Sequence, residues 1–208
     1  MKRIENKYII SGRDSYNKFL KFIFVNNFKE VFSKRKINSI YFDYKNLSLF
    51  DYSEEGIASK DKIRLRFYGT NLDLNETNLE IKTSNAYSKI KLSSKFGSFN
   101  NIDDHKINTV KQNILKRKLI PTVKVSYERR YFFSKKFGRL TLDENIFYEK
   151  AKWNKYPSNF IFSKKIKENR SVCEHKIENK IPSDDIFPVS NIRFSKYCEA
   201  IKKVYKKI

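Results

Sequence analysis

The stretch DKIRLRFYGT, Asp61 to Thr70, decides the fold. Arg64 and Arg66 stand two apart, and Ile63, Leu65 and Phe67 alternate with them. Successive side chains of a β-strand point to opposite faces of its sheet. One face here therefore carries guanidinium groups and the other only hydrocarbon. The same design recurs along the chain. Arg3, Glu5 and Lys7 alternate with Ile4 and Tyr8; Glu80 and Lys82 with Leu79 and Ile81; Lys89 and Lys91 with Ile90 and Leu92. Val123, Val125, Tyr127 and Arg129 share one side of a long run. Arg139, Thr141 and Asp143 alternate with Leu140 and Leu142, and Glu174 and Lys176 with Cys173, His175 and Ile177. The run INSIYFDY, Ile37 to Tyr44, is strongly β-prone.

Three segments carry helical spacing instead. Asp14 to Asn26 repeats Tyr16, Phe19, Leu20, Ile23 and Phe24 at three- and four-residue intervals, which predicts one buried stripe. Asp104 to Lys118 has Ile107, Val110, Ile114 and Leu115, with Asp103 or Asp104 as cap. Ser195 to Lys206 has Ser195 as cap and Tyr197, Ala200, Ile201, Val204 and Tyr205 as its buried side. If helices cover the apolar strand faces, the charged faces must point elsewhere. Glu5 with Lys7, Glu80 with Lys82 and Glu174 with Lys176 mix both signs at fixed spacing, unlike an ordinary solvated face. These features predict an α+β, mainly β fold: a closed antiparallel β-barrel tunnel with a polar lumen and helices packed outside. Cations crowded into such a lumen repel one another and lose hydration, at a cost of roughly several kcal/mol unless an anion joins them. A ligand with several phosphates is expected, and the carboxylates predict a hard divalent cation, Mn²⁺ or Mg²⁺.

Composition agrees. The chain has 208 residues, read as a single domain over 1–208, with 45 Lys+Arg against 23 Asp+Glu and a net charge of +22. Such a field favours a polyanion: nucleic acid, a phosphate-rich ligand or an anionic membrane surface. An A/T-rich genome explains part of the lysine excess but not its spacing. Five glycines and four prolines exclude a disordered basic tail. Two cysteines make no disulfide framework and suggest a reducing, cytoplasmic setting. No apolar leader follows Met1, and FLKFIFVNNF is too short and polar to span a bilayer, so a membrane role needs a partner. No phosphate-loop glycine motif occurs, and no Cys/His cluster suggests zinc. His175 alternates away from Glu174 and reads as packing, as do Trp153, Tyr148, Tyr156, Phe160 and Phe162.

The ordered set of motifs resembles the triphosphate tunnel metalloenzymes and, within them, the VTC domain of polyphosphate polymerases. It comprises RIENKY from Arg3, SIYFD from Ser39, KIRLRFYG from Lys62 and LEIK from Leu79. VSYER from Val125, RLTLD from Arg139, CEHK from Cys173 and FSKY from Phe194 complete it. Each motif alone is weak, and their order runs almost end to end. The resemblance implies a barrel of about eight strands and synthesis of inorganic polyphosphate from the γ-phosphoryl group of ATP with Mn²⁺ or Mg²⁺. By position it implies Lys7, Arg64, Arg66, Lys82, Arg129, Arg139 and Lys196 as catalytic phosphate holders, with Lys89, Lys91 and Lys176 as further phosphate sites. Glu174 would be the main metal carboxylate. Glu5 and Glu80 would share the metal or orient bases or water, and Asp143 is a weaker metal candidate. Nucleic acid is not an expected partner under this resemblance. Arg3 replaces the first glutamate of the E-x-E-x-K pattern found in hydrolytic relatives, which favours the polymerase branch. A tunnel triphosphatase, a class-IV-type cyclase and a non-catalytic polyanion-binding module stay open as alternatives.

Overall fold

The computed structural model describes residues 4–57, 60–85, 88–97, 105–154, 159–177 and 192–207. Arg3, Asp103, Asp104 and Tyr156, named above, lie outside them. The elements run β1 (Ile4–Ile10), α1 (Gly12–Val25), β2 (Lys29–Asp43), α2 (Ser48–Glu54), β3 (Lys60–Tyr68), β4 (Asn78–Ser84) and β5 (Lys89–Lys95). They continue with α3 (His105–Leu115), β6 (Ile120–Ser134), β7 (Gly138–Trp153), β8 (Phe160–Phe162), β9 (Ile166–Lys167), β10 (Ser171–Ile177) and α4 (Lys196–Tyr205). Strand order is β1-β10-β7-β6-β2-β3-β4-β5, with β8 and β9 paired to β7. The chain is mainly β, as expected. Among the described residues no pairing joins β1 to β5, so the barrel closure expected from sequence is not among the observed pairings.

Contacts divide the chain into two compact units. The first comprises Met1–Lys36, Tyr127–Phe147 and Lys167–Phe194. In it β10 pairs antiparallel with β1 and with β7. The alternation of β1, β7 and β10 delivers Tyr8, Leu140, Leu142 and Cys173 to one face. There they pack with Phe19 and Phe22 of α1 and with Phe28, Phe132 and Phe137. Asn27, in the left-handed region at φ 53°, helps turn the chain from α1 into β2. The expected α1 stripe is only partly buried. Phe19 and Phe22 are buried, but Leu20 is 41% and Phe24 84% exposed. Six apolar residues crowd the eight from Phe19 to Asn26, so spacing alone does not select the face that packs. His175 is buried against the Phe137 carbonyl and the Phe28 ring, in keeping with the packing role expected for it.

The second unit comprises Ile37–Ser126, Tyr148–Ile166 and Ser195–Ile208. Here β3 pairs antiparallel with β2 and β4, and β4 with β5. Ile63, Leu65 and Phe67 of the opening stretch are buried with Ile40, Phe42, Leu79 and Ile81 under Ile107, Val110 and Ile114 of α3. Trp153 stacks on Phe160 at 4.5 Å between ring centroids, which makes that cluster packing as well. Two features depart from expectation. Seven-residue α2 is absent from the sequence reading, because its cap comes from afar. Leu47 has no capping side chain, and the buried Asp43 carboxylate accepts the N–H groups of Leu49 and Phe50. The second feature is α4, which does not cover an apolar strand face. Its Tyr197 stacks on Tyr41 and donates to Asp43, on the face of β2 that registers with Arg64.

Candidate functional site

Register decides which side chains meet. In the second unit Tyr41, Arg64 and Glu80 lie opposite one another on β2, β3 and β4. Glu80 is buried, and three cations close on it. Arg64 donates from Nε and Nη2 to Oε2 at 2.9 and 2.7 Å, and Lys91 donates to Oε1 at 2.9 Å. Arg66 approaches Oε2 at 3.6 Å. Burial pushes the Glu80 carboxyl up, but Arg64, Arg66 and Lys91 together outweigh it and hold the pKa down at about 2. Arg64 also donates to the Tyr41 hydroxyl at 3.0 Å. Burial alone would raise that phenol, yet Arg64, Arg66 and Lys196 bring it below its usual value.

Next along the strands, Lys62, Lys82 and Lys91 stand opposite one another across β3, β4 and β5. Lys62 donates to the Ser195 hydroxyl at 2.9 Å, and burial lowers its pKa, with Lys82 and Lys60 adding like-charge repulsion. Ser195 caps α4 through the Cys198 N–H, as its sequence position predicts, and Lys196 follows it, buried. Lys82 and Lys89 are exposed, on the same face of adjoining strands. Lys62 is the residue that motif matching missed. Its two-residue spacing from Arg64 and Arg66 was the available signal.

In the first unit Lys7 lies opposite Glu174, with Nζ 3.9 Å from Oε1. Arg129 donates to both oxygens of Asp143, at 2.5 and 2.7 Å, and reaches Glu174 at 3.5 Å. Arg129 is stabilised as a cation: burial works against its charge, and Asp143, Tyr127 and Glu174 overcome that. Asp143 is fully buried and serves as the seat of Arg129. Arg139 faces Lys176, which faces Glu5, in a second row of registered charges. A cleft of about 340 Å³ is lined by Glu5, Lys7, Ile192, Arg193 and Phe194. Arg193 was not singled out from sequence, because it precedes the Ser195 cap without strand alternation to place it.

Each unit thus presents cations fixed from beneath by buried carboxylates. A family model described as the VTC domain matches residues 2–205. The chain belongs to the VTC domain family. Through it the chain falls within the triphosphate tunnel, CYTH-like superfamily. A protein of Pyrococcus horikoshii with 12% identity aligns over 96% of both chains at a TM-score of 0.51, a likeness of fold. Weaker likenesses are a candidate adenylate cyclase of Vibrio parahaemolyticus (12% identity, 96% of this chain and 97% of that one, TM-score 0.49) and a Hippeastrum protein. The latter is described as a candidate adenylyl cyclase with a dominant triphosphatase activity (10% identity, 98% and 97%, TM-score 0.48). No curated protein matches the sequence.

The VTC domain's carboxylates differ in fitness for a metal. Both Glu80 oxygens receive cations here, Arg64 on Oε2 and Lys91 on Oε1, the arrangement of a carboxylate that orients basic groups. Glu5 and Glu174 are diagonal neighbours on one face of β1 and β10, by the register Glu5–Lys176 and Lys7–Glu174. Two hard oxygen donors suit Mg²⁺ or Mn²⁺. Among the described residues no group of three or more metal-ligating side chains occurs, so phosphate and water oxygens would complete the coordination. No described helix is long and apolar enough to cross a membrane.

Proposed function

We propose that this VTC domain synthesises inorganic polyphosphate from ATP by metal-assisted transfer of the γ-phosphoryl group. One observation carries the reading. Cations stand opposite cations in register, Lys62–Lys82–Lys91 and Arg139–Lys176, beside arginines already seated on carboxylates. Like charges directly opposite destabilise a sheet, and a chain of phosphates relieves that repulsion. Arginine suits bidentate phosphate contacts and lysine acts as a point charge.

In the proposed reaction a terminal phosphate oxygen of the growing chain forms a bond to the γ-phosphorus. The bond from that phosphorus to the β–γ bridging oxygen breaks, ADP leaves with the electron pair, and the chain gains one phosphate. The attacking oxygen is already an anion, so no general base is required. Positioning and charge neutralisation supply the catalysis. Lys7, Arg64, Arg66, Lys82, Arg129, Arg139 and Lys196 would neutralise the reacting phosphates, and Lys89, Lys91 and Lys176 would hold flanking ones. Because Glu80 and Asp143 fix Arg64 and Arg129 beforehand, little reorganisation is left for the transition state. Glu174 and Glu5 would hold Mn²⁺ or Mg²⁺, which when bound neutralises phosphate oxygens. The closed tunnel, the single-domain organisation and a cytoplasmic setting belong to this proposal too.

The test is a product assay. Purified protein receives ATP and Mn²⁺; polyphosphate is resolved on a gel while ADP and orthophosphate are assayed separately. A ladder digested by exopolyphosphatase, with matching ADP, is expected. Orthophosphate without chains would replace the polymerase with a triphosphatase. Triphosphate binding without turnover would leave a polyanion-binding module.

A further inference from the structure

Lys7 is the residue of the first unit most in need of an anchor. An ammonium on a four-carbon stem is mobile and strongly hydrated. Its position is set by a short strap. The Phe194 carbonyl accepts a hydrogen bond from Lys7 Nζ at 3.1 Å, and the Ile192 N–H donates to the Lys7 carbonyl at 2.9 Å. The strap is itself held. Phe194 is buried, and the Arg170 guanidinium lies over its ring, 5.5 Å from the centroid. Arg170 in turn is forked onto Glu168, with Nε to Oε1 at 2.8 Å and Nη2 to Oε2 at 2.9 Å. Glu168 is buried and tied to the sheet by its N–H to the Ile146 carbonyl at 2.8 Å. A buried carboxylate is costly without a partner, and here its partner is the group that covers the strap.

We propose that Arg170, locked by Glu168, is a positioning residue that fixes Lys7 for phosphate through the Phe194 strap. The inference rests on the reading of Lys7 as a phosphate holder. Arg170 works by its planar fork, which stacks on the ring and bridges both Glu168 oxygens together. Lysine cannot do both.

The experiment has two readouts on the full chain. The first is the rate of reductive methylation of each lysine, followed by mass spectrometry without ligand. In Arg170→Ala, Lys7 should react several-fold faster, while exposed Lys18 should keep its rate. Unchanged Lys7 reactivity in a folded variant would overturn the proposal. The second is inorganic tripolyphosphate binding by calorimetry in a cycle of Lys7→Ala, Arg170→Ala and the double variant. Arg170→Ala should weaken binding about tenfold, the scale of one charge-assisted contact, and Arg170→Lys should not rescue it. In the Lys7→Ala background the Arg170 effect should vanish. Additive losses would mean that Arg170 acts elsewhere, which also overturns the proposal. If the native protein binds no tripolyphosphate, the phosphate reading of the site fails, and the labelling still decides whether Arg170 orders Lys7.

Discussion

Glu80 contributes more to the order of its cluster than any cation around it. From the sequence alone, unliganded arginines at 64 and 66 would be expected to repel one another. The structure seats both on one carboxylate, so deleting them would take two of three cations from a buried anion, leaving only Lys91 on it among the three, instead of relieving strain. Glu80 is an acid whose pKa is depressed by folding, from 4.5 to about 2. The stability it adds is therefore complete above the unfolded value and is lost as pH falls from there towards the folded value. That difference corresponds to on the order of 3 kcal/mol. Glu80→Gln should destabilise by about that much near neutral pH, and the gap from the native protein should shrink in urea melts taken below the ordinary carboxylate range. Asp143 and Glu174 should separate in the same way. Asp143→Ala strands a buried Arg129 and should cost about 3–5 kcal/mol. Glu174→Gln should melt nearly as the native protein does but lose Mn²⁺-dependent turnover. Full metal-dependent activity in a folded Glu174→Gln protein would remove Glu174 from the metal site.

At the scale of elements, the helices separate what alternation can say from what it cannot. Phe19 is wholly buried and Phe24 mostly exposed, though both belong to one expected stripe. Phe19→Ala should therefore cost about 3–5 kcal/mol, and Phe24→Ala within about 0.5 kcal/mol of nothing; thermal melts of the two variants check the pair. The strands were legible because period two needs only local spacing. Ile63, Leu65 and Phe67 went inward, and Arg64 and Arg66 went to Tyr41 and Glu80. The cap of α4 was legible for the same reason, since Ser195 bonds three residues on. Hidden from sequence was whatever depends on distant partners. Asp43 caps α2 from six and seven residues away and receives Tyr197 from the far end of the chain. The seating of Arg64 and Lys91 on Glu80 follows from cross-strand register, which the spacing within one strand does not give. Glu168 and Arg170 carried no motif at all.

For the whole molecule, a charge of +22 does not by itself choose a partner. Nucleic acid and polyphosphate both answer it. The difference lies in the setting of the cations, since Lys62, Lys82 and Lys91 alternate along their strands with Ile63, Ile81 and Leu92, aliphatic groups that offer bases no ring to stack on. A ligand that binds only the folded chain stabilises it by about 2.7 kcal/mol at roughly a hundred times its Kd. For a chain of this size that is a rise in Tm on the order of 5–10 °C. Tripolyphosphate should produce such a rise, while single-stranded RNA at equal phosphate concentration should produce much less. Added salt should shrink both shifts, but less for tripolyphosphate, because charge pairs that are partly buried are screened less than exposed ones. Scanning calorimetry with each ligand at low and at physiological salt measures all four numbers. If RNA stabilised the protein as well as tripolyphosphate did, with the same salt dependence, the registered cations would be a general polyanion surface, and the assignment of phosphoryl transfer would lose its main support.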